Sequence, residues 1–218
     1  MSNVAIFGST GLIGSKILKY LEYDNYFSKV YVITRKPIHF KGSKFKNKVI
    51  DFNDINSIKN SLKNCQIVFV SIGTTQSKVN FDLEKYKKID YEIPINIAKE
   101  AIKLNIKKYL IVSSAGADIN AKGFYLSLKG LLENDITKIG IKNTFIFRPS
   151  LLMGTRKENR IGEKIAQIIM PLFSFLLPKK YRPINAEFVA KSMINLSKTE
   201  INSVKIYHFE DIILSLKI

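Results

Sequence analysis

The stretch Gly8-Ser9-Thr10-Gly11-Leu12-Ile13-Gly14 directly follows the apolar run Val4-Ala5-Ile6-Phe7, and it constrains this chain more than any other feature. Beyond it, Ile13, Ile17, Leu18 and Leu21 fall at helical spacing and share one face. The segment therefore predicts a buried strand, a glycine-punctuated turn and a helix. Glycines spaced in this way let the backbone approach a pyrophosphate closely. The free N–H groups and positive dipole of the helix start then hold the anion. A dinucleotide site is expected within the first turn of the fold.

Apolar runs and helical stretches alternate along the rest of the chain. Strands are expected at 30–34, 49–52, 67–72, 109–113, 144–148 and 205–209. Helices are expected at 55–62, 83–104 with an interruption at Pro94, 124–139, 161–175 and 186–197. Near-continuous apolar strands separated by helices imply a parallel sheet buried on both faces. Right-handed crossovers then give the doubly wound α/β order 3-2-1-4-5-6, a Rossmann fold with its switch point beside strand one. The expectation is a single domain over 1–218, with about 150–200 forming a small C-terminal cover on the substrate side.

Composition removes several classes. One cysteine, Cys65, rules out a disulfide framework, and His39 and His208 lack ligand spacing, so no metal site is expected. The net charge is +17, yet of 35 basic residues only Arg35, Arg148, Arg156, Arg160 and Arg182 are arginine. Lysine is spread along the chain instead of gathered with aromatics, so nucleic acid is not an expected partner. The lysine-dense stretch 41–48 reads as a solvated loop before a strand. Met1 leads straight into the first strand, which predicts a cytoplasmic protein without a signal peptide. The apolar segment 165–177 contains Gln167, Pro171 and Ser174 and falls short of a membrane span. It reads as a helix docked on the core, or as a surface that touches a membrane or a partner.

A glycine turn that binds NAD usually has an acidic residue at the end of strand two, where this chain has Thr34-Arg35-Lys36. A guanidinium there can fork onto a 2′-phosphate, which favours NADP(H) over NAD(H); the alternative is a merely exposed arginine. Asp51 and Phe52 are expected beside the adenine, and Gly73, Thr74 and Thr75 along the middle of the cofactor. Strand five ends in Ser113-Ser114, and the next helix carries Tyr125 and Lys129, four apart on one face. One such pair among ten tyrosines is what chance gives in so lysine-rich a chain, so its meaning comes from its place just after Ser113-Ser114. A tyrosine hydroxyl ordinarily keeps its proton at neutral pH, and a neighbouring ammonium beside a positive nicotinamide ring would favour the phenolate. A serine from the preceding strand end would polarise a substrate carbonyl.

With these motifs in view, the chain resembles the short-chain dehydrogenase/reductase superfamily, and within it the atypical subgroup related to the human Tat-interactive protein. The resemblance rests on 8–14, Phe-Ser-Lys-Val at 27–30, Ile-Gly-Thr-Thr at 72–75 and Ser-Ser-Ala-Gly-Ala-Asp at 113–118. It continues through Phe-Tyr-Leu-Ser-Leu-Lys-Gly at 124–130, Phe-Arg-Pro-Ser at 147–150 and the charged run 156–163. It implies Tyr125 as general acid/base, Lys129 as its partner and Ser114 as the polarising hydroxyl, with Ser113 the alternative. The superfamily's asparagine, which acts through a lysine-bound water, is matched by Asp90 here, an acceptor where the asparagine could also donate. Arg148 and Pro149 should border the nicotinamide and substrate pocket, with Met153, Arg156 and Arg160 covering it. Arg156 and Arg160 either receive an anionic substrate or pair with Glu158 and Glu163. The activity expected is hydride transfer to or from a small carbonyl or alcohol, by a monomer or homodimer. The alternative is a non-catalytic NADP(H) sensor acting through a protein partner.

Overall fold

The computed structural model describes residues 2–40, 42–154 and 178–218. Seven parallel strands form one sheet in the order β3-β2-β1-β4-β5-β6-β9. They are β1 (Ser2–Phe7), β2 (Phe27–Thr34), β3 (Phe45–Val49), β4 (Ile67–Val70), β5 (Lys108–Val112), β6 (Asn143–Phe147) and β9 (Val204–Tyr207). Two short strands, β7 (Leu152–Met153) and β8 (Ile184–Asn185), pair separately. This is the doubly wound Rossmann arrangement that the alternating pattern implies.

The two-residue period of each strand divides the core into two layers. Val4 and Ile6 point with Val30, Val32, Phe69 and Phe145 into one layer. Helices α1 (Leu12–Tyr23), α6 (Ala186–Ser197) and α7 (Phe209–Leu214) cover that side. Ala5 and Phe7 point with Val68, Val70, Tyr109 and Ile111 into the other. There α2 (Ile55–Leu62), α4 (Ile93–Lys103) and α5 (Phe124–Ile139) form the cover. Local signals set the helix ends. Asp54 caps α2 by accepting from the Asn56 and Ser57 amides, and Gly140 ends α5 at φ +77°.

Helix α3 (Leu83–Lys87) runs into α4 through a π-helical turn at Lys88–Glu92. Pro94 explains the turn. It has no N–H to give the Asp90 carbonyl, and its ring crowds that carbonyl, so the backbone widens just before it.

Three expectations change. The third strand is Phe45–Val49, not 49–52, so the second half of the lysine-dense stretch 41–48 belongs to the sheet's edge strand. Lys46 and Lys48 suit an edge, where charge discourages further pairing, and the Asn47 amide binds the Val32 carbonyl and the Thr34 hydroxyl at 2.8 Å each. Asp51 and Phe52 consequently lie just past the strand. The last strand stops at Tyr207, and the unanticipated helix α7 begins at Phe209. The helix expected at 161–175, the apolar segment 165–177, and Arg156 and Arg160 lie outside the described residues. Among the described residues, no helix is long and apolar enough to cross a membrane.

Burial pushes the Cys65 thiol up to about 12, with Lys48 pulling weakly the other way. The native protein should therefore resist a disulfide reagent at pH 8 and react promptly once unfolded in urea. Rapid labelling of folded material would show that Cys65 is reached without unfolding.

Candidate functional site

In a parallel sheet all strands end on the same edge, and the expected site residues gather there. Gly8 follows β1 with φ +84°, and a Cβ on it would lie 2.5 Å from the Ser71 backbone. A Cβ on Gly14 would lie 2.2 Å from the Gly8 carbonyl oxygen. These two glycines let the turn fold onto itself and onto the end of β4. Gly11 is different: it is exposed, extended at φ −76°, and begins α1 with no side-chain cap and no acidic residue in the first turn. Thr10 is exposed, Leu12 is half-buried, and Ile13 is buried in the core and offers only its backbone. Ser9 is buried, and its hydroxyl has no hydrogen-bond partner among the described residues. An uncapped helix start beside an orphaned hydroxyl fits an incoming anion.

At the ends of β2 and β3 a cleft of about 620 Å³ is lined by Arg35, Asp51, Phe52, Lys88, Ile89 and Ile93, among others. The Phe52 ring stands edge-on to Phe7 at 6.1 Å. Asp51 holds its own turn by accepting from the Asn53 amide and side chain at 2.8 Å each.

The reactive end is organised by α5. Lys129 is buried and forms an ion pair with the buried Asp90 at 2.9 Å. The other Asp90 oxygen accepts from the Thr74 amide at 2.7 Å. A side chain on Gly73 would come within 3.5 Å of this carboxylate. Asp90 thus joins the π turn, the loop after β4 and α5 at one point. The lysine–aspartate contact is direct, not the water-relayed one implied by the resemblance, because the π turn carries the carboxylate to the ammonium. Thr75 is half-buried at the start of the 3₁₀ turn Gln76–Val79.

Tyr125 stands above, 39% exposed, with the Lys129 ammonium 5.9 Å from its ring centroid. The Tyr86 ring packs edge-on against both Tyr125 and Phe124. A Cβ on Gly130 would lie 2.2 Å from the Asp118 backbone, so the loop carrying Ser114 rests directly on α5. Ser114 is half-buried, and its hydroxyl donates to the Ala115 carbonyl at 3.3 Å.

Two of the expected residues share one carboxylate. Arg148, expected to border the nicotinamide and substrate pocket, forks onto Glu133, Nε at 3.0 and 3.1 Å and a terminal nitrogen at 2.5 Å. Ser113, the alternative polarising hydroxyl, donates to the same carboxylate. The chain around buried Pro149 meets the site loop through its carbonyl, which accepts from the Ala115 amide at 2.9 Å. Sequence reasoning missed Glu133, though a signal existed: it follows Tyr125 and Lys129 at successive four-residue steps along one helix face.

Comparison with known proteins adds ancestry. The HIM1 family profile matches residues 34–181. The FMP52 protein of Candida albicans, described as mitochondrial, is 35% identical over 203 residues, covering 90% of this chain and 88% of its own. Its Aspergillus niger counterpart is 29% identical over 214 residues, covering 93% and 89%. These descriptions overturn the cytoplasmic expectation, which rested only on an N-terminus that runs straight into a strand.

Among solved structures, MoeE5 in complex with UDP-glucose and NAD superposes with a TM-score of 0.71 at 14% identity, covering 94% of this chain and 75% of its own. A UDP-N-acetylglucosamine 4-epimerase from Methanobrevibacter ruminantium gives 0.73 at 18% identity, covering 95% and 76%. These likenesses establish the fold. The family match over more than half the sequence, with similarity to the fungal proteins over most of both chains, makes this chain a member of the HIM1 family, related to FMP52.

Proposed function

We propose that this chain is an NADP(H)-dependent oxidoreductase that interconverts a small carbonyl compound and its alcohol, in mitochondria like its named relatives. The observation that carries the reading is the buried Lys129–Asp90 pair beneath a half-exposed Tyr125, on the sheet edge that also holds the glycine turn. The turn's bare amides and the orphaned Ser9 hydroxyl suit the pyrophosphate. Arg35 suits a 2′-phosphate, and Phe52 an adenine. Gly73, Thr74 and Thr75 line the middle of the cofactor, and Pro149 borders the nicotinamide and substrate pocket. That solved relatives of this fold are described with NAD supports a nicotinamide cofactor.

The bound nicotinamide would supply or accept the hydride. Tyr125 gives or takes the proton at the substrate oxygen through its hydroxyl. Ser114 donates a hydrogen bond to that same oxygen. Lys129 is held by Asp90, which fixes where its charge lies relative to the Tyr125 ring. In this reading the chain is one domain over 1–218, and β7 and β8 belong to a small substrate-side cover drawn from about 150–200. The resemblance of the motifs to the Tat-interactive subgroup supports this reading.

Tyr125→Phe should lower kcat at least 100-fold across aldehydes and ketones, while NADPH affinity stays within about twofold. A fully active variant would end the assignment. A second reading, an NADP(H) sensor without turnover, draws on the neutralisation of both Lys129 and Arg148 by carboxylates. It expects tight NADPH binding, no turnover on any carbonyl, and a biological readout indifferent to Tyr125→Phe.

A further inference from the structure

The π turn has a second consequence. Asp90 points inward to Lys129, whereas Lys88, two residues earlier, is exposed and lines the 620 Å³ cleft together with Arg35. Neither the Lys88 nor the Arg35 side chain has a hydrogen-bond or ion-pair partner among the described residues. The one carboxylate on that described lining, Asp51, is occupied with Asn53. Lys85 differs from Lys88 in being paired, with Asp82 at 3.0 Å.

We propose that Lys88 is the second cation of a 2′-phosphate seat whose first is Arg35, and that it makes the site select NADP(H) over NAD(H). The inference rests on the cofactor reading above. The cleft combines an apolar wall of Phe52, Ile89 and Ile93 with two unneutralised cations reaching in from different elements. A flat purine with a phosphomonoester on its ribose matches both halves. The phosphate is close to a dianion at neutral pH and draws on both charges, whereas a bare ribose draws on neither. Lys88 is placed there by Pro94, whose missing donor creates the π turn.

Calorimetric titration of the full chain with NADPH, NADH, 2′,5′-ADP and 5′-AMP tests this without turnover. Lys88→Ala should weaken NADPH and 2′,5′-ADP about five- to tenfold and leave NADH and 5′-AMP within about twofold. Lys88→Arg should keep most of the preference. Equal losses for phosphorylated and unphosphorylated ligands, or no loss at all, would overturn the role of Lys88 while leaving the cofactor reading intact. Wild-type protein that binds none of the four would remove both. Lys88 is exposed, so circular dichroism of Lys88→Ala should match wild type.

Discussion

Gly14→Ala is expected to destabilise the protein by about 3 kcal/mol, as an overpacked backbone contact does. For a chain of this size that lowers Tm by roughly 9 °C. The added methyl would sit 2.2 Å from the Gly8 carbonyl oxygen and 2.8 Å from the Ser71 hydroxyl. A backbone oxygen cannot swing away, so the turn and α1 must separate. Gly11→Ala is the informative contrast. Its methyl meets the Gly8 oxygen at 3.2 Å, the residue is exposed, and its φ is one that alanine adopts readily. It should fold with a loss below about 1 kcal/mol. On the proposed cofactor reading it should nonetheless lose NADPH affinity about tenfold, because a side chain in a glycine turn hinders close approach of a pyrophosphate. Thermal melts and titrations of the two variants separate folding from binding. Unchanged NADPH affinity in Gly11→Ala would remove the phosphates from this turn.

The second large effect lies in the buried network of Glu133. Glu133→Ala leaves the Arg148 guanidinium, whose side chain is 20% exposed, without its anion, and the Ser113 hydroxyl without its acceptor. Removing one partner of a buried pair costs about 3 kcal/mol or more, since the remaining charge has lost its solvent as well as its counterion. Replacing both, as in Glu133→Leu with Arg148→Met, should recover most of that loss, to within about 1 kcal/mol of wild type. Urea denaturation of the single and double variants measures it. A double variant no more stable than Glu133→Ala would show that the cost comes from lost packing, not from an orphaned charge. The pair joins α5 to the end of β6 beneath the Ser114 loop, so Glu133→Ala should also lower any turnover more than it alters NADPH affinity.

The strand–glycine–helix unit and the order of strands were legible because their causes are local. A two-residue period defines each buried strand, a 3.6-residue period each helix, and a turn needing positive φ selects Gly8. Edges were less legible. β3 carries Lys46 and Lys48 because one side of it has no neighbouring strand, and its composition imitates a loop. Helix α7 is a short run beginning two residues after Tyr207, too brief to carry a period of its own.

The site divides in the same way. Tyr125 and Lys129 share a face because helix geometry alone requires it. That Lys129 meets Asp90, and that Glu133 takes both Ser113 and Arg148, follows from segments brought together only when the parallel sheet closes. Charge pairing depends on distance in space, and residues 90 and 129 come within 2.9 Å only through the π turn and the crossover that lays α5 on the sheet. Local pattern was enough to read the strand–glycine–helix unit, the doubly wound order and the residue types at the strand ends. Tertiary structure decided which of those side chains remain free for a ligand, because a buried charge takes its nearest opposite charge, and only the folded chain sets which one that is.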